Sequence, residues 1–354
     1  MTILWMNFFI VFVLAFFARY FAMPVTSEIV MLKPNRLLIL MATTSLVLVS
    51  GFRNNIGDTY FYMHAFTVTD FNWGNVQDSQ NIGFSTLQMI LKMYTNDPQV
   101  LIFITALITN ILIVAVLYKY SRMIELSLYV YIASGMYLVS MNGVRQYLTA
   151  AIIFAATKYI LDGNWKKYFL IVLFASTFHQ SALVLIPIYF VIRRKAWSAI
   201  TFILLFFAVL IVIGFNQFAE VLFAAIGDTQ YGHYKDFQEG GANILRVAVE
   251  ATPLILAFIG RQKLRELFPK SDYIVNMALL GLVFMIISTQ NWIFARFSIY
   301  FGLYQLILIS WVVKLFTDKD QKLIYYAVLV CYFIYFVYEH VITLGIIYKS
   351  NLLG

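Results

Sequence analysis

Charge is scarce in this chain: 12% of its 354 residues are Asp, Glu, Lys or Arg, against 62% hydrophobic and 18% aromatic residues. So little charge excludes a soluble globular protein and marks a chain whose main solvent is lipid. Cysteine is nearly missing. Cys331 stands alone in an apolar run, which excludes an intrachain disulfide and a cysteine-based metal cluster. No second His, Asp or Glu stands at metal-ligand spacing around His179, so neither a metal nor another cofactor is expected. No internal repeat is evident, which weighs against an inverted-repeat transporter. The first apolar run carries Arg19 at its inner end and lacks a small-residue cleavage pattern, so it reads as an anchor and not as a removable signal. The net charge of +8 does not point to nucleic acid, because the lysines and arginines are scattered in small loop clusters.

Apolar runs are what the chain has in abundance. About twelve can form membrane-spanning helices, some of them short: roughly 3–22, 37–52, 98–118, 125–141, 146–161, 167–178, 181–192, 198–215, 244–260, 273–289, 297–313 and 323–340. Assigning alternate loops to opposite sides concentrates the cations on one of them. Of the 25 lysines and arginines only Arg53, Lys92, Arg145, Lys235, Arg246, Arg296 and Lys349 fall on the other side. The crowded side is therefore expected to be cytoplasmic and both termini to face outward. Two outer loops are long, about 53–97 and 216–243, and long loops tend to carry function. In the first, Phe84, Leu87, Ile90, Leu91 and Tyr94 recur at helical spacing against Ser85, Gln88 and Lys92, which predicts an interfacial helix. The second, with GDTQYGHYKDFQEGGAN at 227–243, reads as a mobile lid or a plain solvated loop.

Four outward arginines at the rim of an apolar protein suggest an anionic ligand, most simply phosphate. GFRNNIGDTYFY at 51–62 brings Arg53, Asn54, Asn55, Asp58, Tyr60 and Tyr62 out of the membrane together. Arg53 is a candidate phosphate ligand there, with Asn55 and Tyr62 beside it, and Asp58 a candidate for orienting or deprotonating a hydroxyl. A turn at Gly57 would bring Arg53 and Asp58 onto one surface; a plain salt bridge between the two is the alternative. NGVRQYLTAAI at 142–152 places Arg145 and Gln146 at a helix N-terminus, where backbone N–H groups already favour anions. Snorkelling of Arg145 to lipid headgroups is its alternative. FHQSA at 178–182 interrupts an apolar stretch, and His179 in that turn is a candidate general base or phosphate ligand, or a hydrogen-bonded structural residue. Arg246 and Glu250 share a face of the ninth span, with Pro253 just beyond. Glu250 is a functional candidate as an ionisable group within a span, although pairing with Arg246 explains it structurally. In QNWIFARFSIYF at 290–301, Arg296 reads as an anion ligand, and Trp292, Phe297 and Tyr300 as an interface belt.

FRNNIGDTYFY at 52–62, NGVRQYLTAAI at 142–152, FHQSALV at 178–184 and ARFSIYF at 295–301 together resemble the EpsG family of bacterial exopolysaccharide proteins, related in character to Wzy polysaccharide polymerases. The resemblance implies a polytopic all-α protein of the bacterial inner membrane with a GT-C-like fold. It implies an inverting glycosyl transfer at the outer leaflet, from undecaprenyl pyrophosphate to a hydroxyl of the next lipid-linked repeat unit, and the residue spacing adds the expectation that no metal takes part. Arg53, Arg145, Arg246 and Arg296 would hold the diphosphates, with His179, Asp58 or Glu250 as base. Expected partners are lipid-linked oligosaccharides, the bilayer and other polysaccharide assembly proteins. The alternatives are a transporter or flippase for lipid-linked solutes, which calls for ionisable residues through the membrane's middle, and a glycan ligase.

Overall fold

The computed structural model describes residues 1–24, 32–226 and 240–352. Polar residues 227–239 of the expected lid, Lys235 among them, lie outside the described residues. The regular structure of the described residues is helical apart from a two-residue antiparallel pair, β1 (Met23–Pro24) with β2 (Leu32–Lys33), and an isolated bridge between Arg53 and Ser350. Five helices are long and apolar enough to cross a membrane, and up to seven if each of two bent pairs is one span. Each apolar run named above is helical over most of its length. The helices form two compact units, Met1–Tyr189 with Ile309–Gly354, and Phe190–Leu308.

The first unit opens with α1 (Thr2–Tyr20) and α2 (Arg36–Gly51), an antiparallel pair. Asn35 N donates to Ala18 O at 2.8 Å near one end, and Ser45 Oγ to Asn7 Oδ1 at 2.8 Å towards the other. Such inter-helix hydrogen bonds within apolar surroundings contribute about 0.6 kcal/mol each and fix the pairing register. The expected outer loop 53–97 is itself built of helices: α3 (Thr59–Val68), α4 (Trp73–Gln77) and α5 (Ile82–Tyr94). The predicted apolar face of α5 is present in part. Phe84 is buried with Phe66, Leu101, Val144 and Leu148, and Leu87 and Leu91 pack against them. Ile90 and Tyr94 instead point outward, while Gln88 faces inward. Lys92 reaches back to the end of α3, where its Nζ donates to the carbonyls of Phe66, Thr67 and Thr69 at 2.7–2.9 Å. A lysine on the last carbonyls of a helix satisfies groups that have no partner within the helix.

Next come α6 (Gln99–Tyr120), α7 (Ile124–Ala133), α8 (Met136–Asn142), α9 (Val144–Ala155), α10 (Thr157–Asp162) and α11 (Trp165–Ser176). α6 is the central strut, with Leu101, Ile102, Thr105, Ala106, Thr109, Asn110 and Ile113 all buried. α7 and α8 are one run broken by a 54° bend. The break falls at Gly135, whose φ of +85° suits glycine, and a Cβ there would meet the His340 ring at 2.2 Å. A 3-10 turn, Gln180–Val184, leads into α12 (Leu185–Ile192), which runs out of the first unit into the second.

The second unit holds α13 (Ala199–Ile213), α14 (Phe215–Ile226), α15 (Ile244–Ile259), α16 (Arg261–Leu267), α17 (Ser271–Ser288) and most of α18 (Ile293–Val312). Residues 216–226, expected as loop, are helical in α14, set at 97° to α13 across Gly214. Ala208, Ile287, Ile293 and Phe294 form its buried cluster, with Phe215 and Phe218 packed on it. At the other end Arg265 pairs with Asp272 at 3.0 Å, and Asn276 Nδ2 donates to Ile192 O and Arg194 O. The chain returns to the first unit through α19 (Asp318–Phe336), a π-helical turn (Val337–Thr343) and a tail.

Hydrogen bonds sort the helix ends of the first unit into two groups. At one end Tyr118 donates to Pro34 O, Trp311 Nε1 to Tyr120 O and Arg122 N to Ser310 Oγ. That end carries Arg19, Arg36, Lys119, Arg122 and Lys314, cations that the sequence reading places together. At the opposite end lie Arg53, Arg145, the turn after α11 and the tail. These five cations thus share one end of this unit, opposite Arg53 and Arg145.

Candidate functional site

Three of the four family-like motifs meet at one end of the first unit, and their meeting is built residue by residue. Asn142, the last residue of α8, accepts from Asp58 N through Oδ1 at 3.0 Å. The turn it holds passes through Gly57 at φ +54°, and a Cβ there would lie 2.2 Å from Asn142 Oδ1. Only a residue without a Cβ takes that conformation beside that neighbour cheaply. Asp58 then starts α3, and Tyr62 N donates to Asp58 O one turn later at 3.1 Å. Tyr62 and Asp58 therefore share a face. Tyr62 Oη accepts from Arg145 Nε at 3.1 Å, and the Arg145 guanidinium lies 5.7 Å from the Tyr62 ring centre and 5.9 Å from that of Phe84.

Asn81 closes the other side. Oriented to suit both neighbours, its amide oxygen accepts from Arg145 Nη1 at 3.2 Å and its nitrogen donates to Phe178 O at 3.3 Å. Gly83 N donates to Thr177 O at 2.8 Å, so the start of α5 docks on the turn that carries His179. His179 is buried, with Nδ1 2.7 Å from Ser181 Oγ. Arg145 is half-buried in the first turn of α9; its Nε and Nη1 are held, and Nη2 has no hydrogen bond among the described residues. A guanidinium oriented by two partners, with its last nitrogen unengaged, is arranged to receive an anion. The Asp58 carboxylate, half-exposed, likewise makes no hydrogen bond or ion pair among the described residues. The alternative Arg53–Asp58 salt bridge is not formed among them. Gln146, next to Arg145, is buried.

Arg53 stands differently. It is 1% exposed, and its guanidinium is engaged with the protein itself: Nε donates to Thr59 Oγ1 at 3.0 Å, Nη2 to Met141 O at 2.7 Å and Nη1 to Ser50 O. Burial lowers it to about 10, against which the nearby Tyr137, Tyr348 and Tyr62 raise it; it remains cationic at neutral pH. Its role in this geometry is to tie the end of α2 and the start of α3 to the end of α8. Asn55 is equally engaged: Nδ2 donates to Ile347 O and Oδ1 accepts from Lys349 N, both at 2.7 Å. Asn54 bonds Asn351, and Tyr348 Oη donates to Val49 O at 2.9 Å. The tail is thus sewn to the GFRNN turn.

The remaining predicted residues belong to the second unit. Asn243 caps α15 through Leu245 N at 3.0 Å, and Arg246 lies in the first turn. Glu250 follows one turn deeper; its Oε2 is buried without a hydrogen-bond partner among the described residues, and the opposite charge of Arg246 acts on it. Ala242 N donates to Ser288 O at 2.8 Å, which brings the start of α15 to the end of α17. Arg296 lies over the Trp292 ring at 4.8 Å. Phe297 stacks on Phe284, and Tyr300 is 1% exposed, so Tyr300 is a core residue and not part of a belt. Each unit therefore has its own group: Arg53, Asn55, Asp58, Tyr62, Arg145, Gln146 and His179 in the first, Arg246, Glu250 and Arg296 in the second.

Sequence reasoning missed Asn81, which lies in a polar stretch, QDSQN, with nothing to distinguish it from a solvated loop. It also missed three buried ionisable residues, Glu125 at the start of α7 and Glu339 with His340 in the π-helical turn. A glutamate and histidine side by side in the apolar run VYEHVIT were the available signal for the last two.

Long apolar helices, two bent helix pairs and polar groups buried among them define a helical integral membrane protein. The chain belongs to the EpsG family, a Wzy-like polymerase family, which it matches over residues 36–350. The resemblance carried by the four motifs is thereby met, and the family's character is that of an exopolysaccharide polymerase-like membrane protein. No curated protein and no solved structure matches the chain.

Proposed function

We propose that this chain is a glycosyltransferase that lengthens a polysaccharide at the outer leaflet of the bacterial inner membrane. It transfers the growing glycan from undecaprenyl pyrophosphate to a sugar hydroxyl of the next lipid-linked repeat unit. The observation that carries this reading is the convergence of Arg145, Asp58 and His179 through Tyr62, Asn81 and Asn142. In the proposed step the acceptor oxygen attacks the anomeric carbon, its proton passes to Asp58, and the carbon–oxygen bond to the diphosphate breaks. The leaving diphosphate gathers charge as that bond opens, and Arg145 in a poorly hydrated site stabilises it. Arg246 and Arg296 are assigned to the second lipid diphosphate, with Glu250 close by. Gln146 lines the Arg145 side; Arg53 and Asn55 are assigned to holding the turn that presents Asp58. His179, its ring oriented by Ser181, orients the acceptor. Inversion and a GT-C-like arrangement are proposed on the family resemblance, twelve crossings on the apolar runs, outward termini on the charge pattern and independence of metal on the residue spacing.

Replacement of Arg145 by alanine tests the assignment. Removing a preorganised charge donor from a transition state costs about 10²–10³ in rate, so short glycans and accumulated lipid-linked repeat units are expected from a well-folded protein. Polymer of normal length from that variant would remove Arg145 from the mechanism. Long lipid-linked chains in a deletion strain would indicate a ligase instead.

A further inference from the structure

The opposite end of the first unit holds a second charged cluster that the polymerase reading does not use. α6 separates the two ends: Gln99, its first residue, bonds Gly51 O and Arg53 O, whereas Arg122 lies just past its last residue. Its 22 residues at about 1.5 Å each set the two ends about 33 Å apart. At the Arg122 end Arg19, from the last turn of α1, pairs with Glu125, whose side chain is fully buried. Arg122, in the turn before α7, feels the charge of Arg19, and Lys314, in the 3-10 turn after α18, feels Arg19, Arg122, Asp318 and Glu125. Lys314 Nζ donates to Gln321 Oε1 at 2.7 Å, which engages one of its three donors.

Three side-chain atoms in this cluster are buried and lack a hydrogen-bond partner among the described residues: Arg122 Nη1, Glu125 Oε2 and Tyr325 Oη. Tyr325 interacts electrostatically with both Glu125 and Arg19. Arg19 and Glu125 neutralise each other, leaving Arg122 and Lys314 as donors of positive charge and Glu125 Oε2 as an acceptor. Burial, and after it the charge of Arg19, hold the Arg122 guanidinium below its usual value. Arg122 is half-buried with its Nη1 enclosed, and a partly desolvated guanidinium facing a like charge is stabilised by an anion.

We propose that this cluster is a binding site for a hydroxyl-bearing phosphate ester of the glycerol phosphate type. The phosphate accepts from Arg122 Nη1 and Lys314 Nζ, and the ester's hydroxyl donates to Glu125 Oε2. That chemistry has two sources, a glycerol phosphate headgroup of a membrane lipid and soluble glycerol phosphate. Basic pockets between helix ends on the cytoplasmic side are suited to headgroups, and the site lies on the side that the charge pattern makes cytoplasmic.

The full-length protein, purified in a neutral detergent, is titrated separately with short-chain phosphatidylglycerol, short-chain phosphatidic acid and glycerol 3-phosphate, read by native mass spectrometry and thermal shift. Phosphatidylglycerol is expected to bind, and several-fold more tightly than phosphatidic acid, which lacks the headgroup glycerol and its hydroxyls. Binding of glycerol 3-phosphate as well identifies the soluble source; its failure identifies the lipid. Arg122→Gln is expected to weaken binding about tenfold or more, since it removes a charge-assisted hydrogen bond. Arg122→Lys is expected to restore part of it, and Lys322→Gln, at an exposed position of α19, to leave it unchanged. Absence of binding by all three ligands, equal loss in Lys322→Gln, or undiminished binding by a well-folded Arg122→Gln overturns the site. Equal affinity for phosphatidic acid and phosphatidylglycerol overturns the role of the hydroxyl.

Discussion

Arg53 and Arg145 carry the same charge in the same end of one unit, and their different surroundings underlie the different tasks proposed for them. Arg53 is buried with all three nitrogens on protein oxygens, so its loss leaves acceptors unsatisfied in a place water does not reach. Arg53→Ala is expected to destabilise the chain by about 3 kcal/mol or more. Lysine should not rescue it, because a point ammonium cannot span the three acceptors that the planar fork reaches. Arg145→Ala should instead leave the melting temperature nearly unchanged while polymer length collapses. Thermal melting in detergent and gel analysis of the glycan separate the two; a folded but inactive Arg53→Ala would put Arg53 back on the substrate. Gly57→Ala should cost about 1–2 kcal/mol, from its positive φ and its contact with Asn142, seen as a lower melting temperature.

At the scale of elements, the helices were legible because apolar runs are a local signal, and the structure adds capping asparagines at their starts. Asn35 before α2, Asn164 before α11 and Asn243 before α15 each accept from a backbone N–H of the first turn. The internal helices of 53–97 were only partly legible. α5 showed its period through Phe84, Leu87 and Leu91, but whether Ile90 points to the core or outward is decided by α3 and α9, which the local sequence does not report. The site was legible to the extent that its residues sit in motifs: Asp58, Tyr62, Arg145 and His179. Asn81 was not, since its importance comes from lying between Arg145 and Phe178, a juxtaposition made by docking of α5 on the turn after α11. Asn81→Ala is expected to keep the fold and lower activity about tenfold, by freeing Arg145 to leave its orientation; full activity would make Asn81 incidental. Removing the tail beyond Ile346 strips Asn54, Asn55 and Val49 O of their partners. A drop in melting temperature together with lost activity is the expected result.

For the whole molecule, the distribution of ionisable residues bears on the choice between enzyme and transporter. Within the first unit the loop cations gather at one end and the candidate site at the other, with α6 between them. Glu125, Glu339 and His340 are buried ionisable residues that the sequence reading did not count, and they give the transporter alternative more substance than Glu250 alone. Lengthening of the glycan, not movement of lipid-linked sugar, is what distinguishes the two. The decisive measurement reconstitutes the purified chain in vesicles with its lipid-linked repeat units and follows glycan length with time. The account predicts a ladder of increasing length that disappears with Arg145→Ala. Movement of the repeat unit across the bilayer without any increase in length would contradict it.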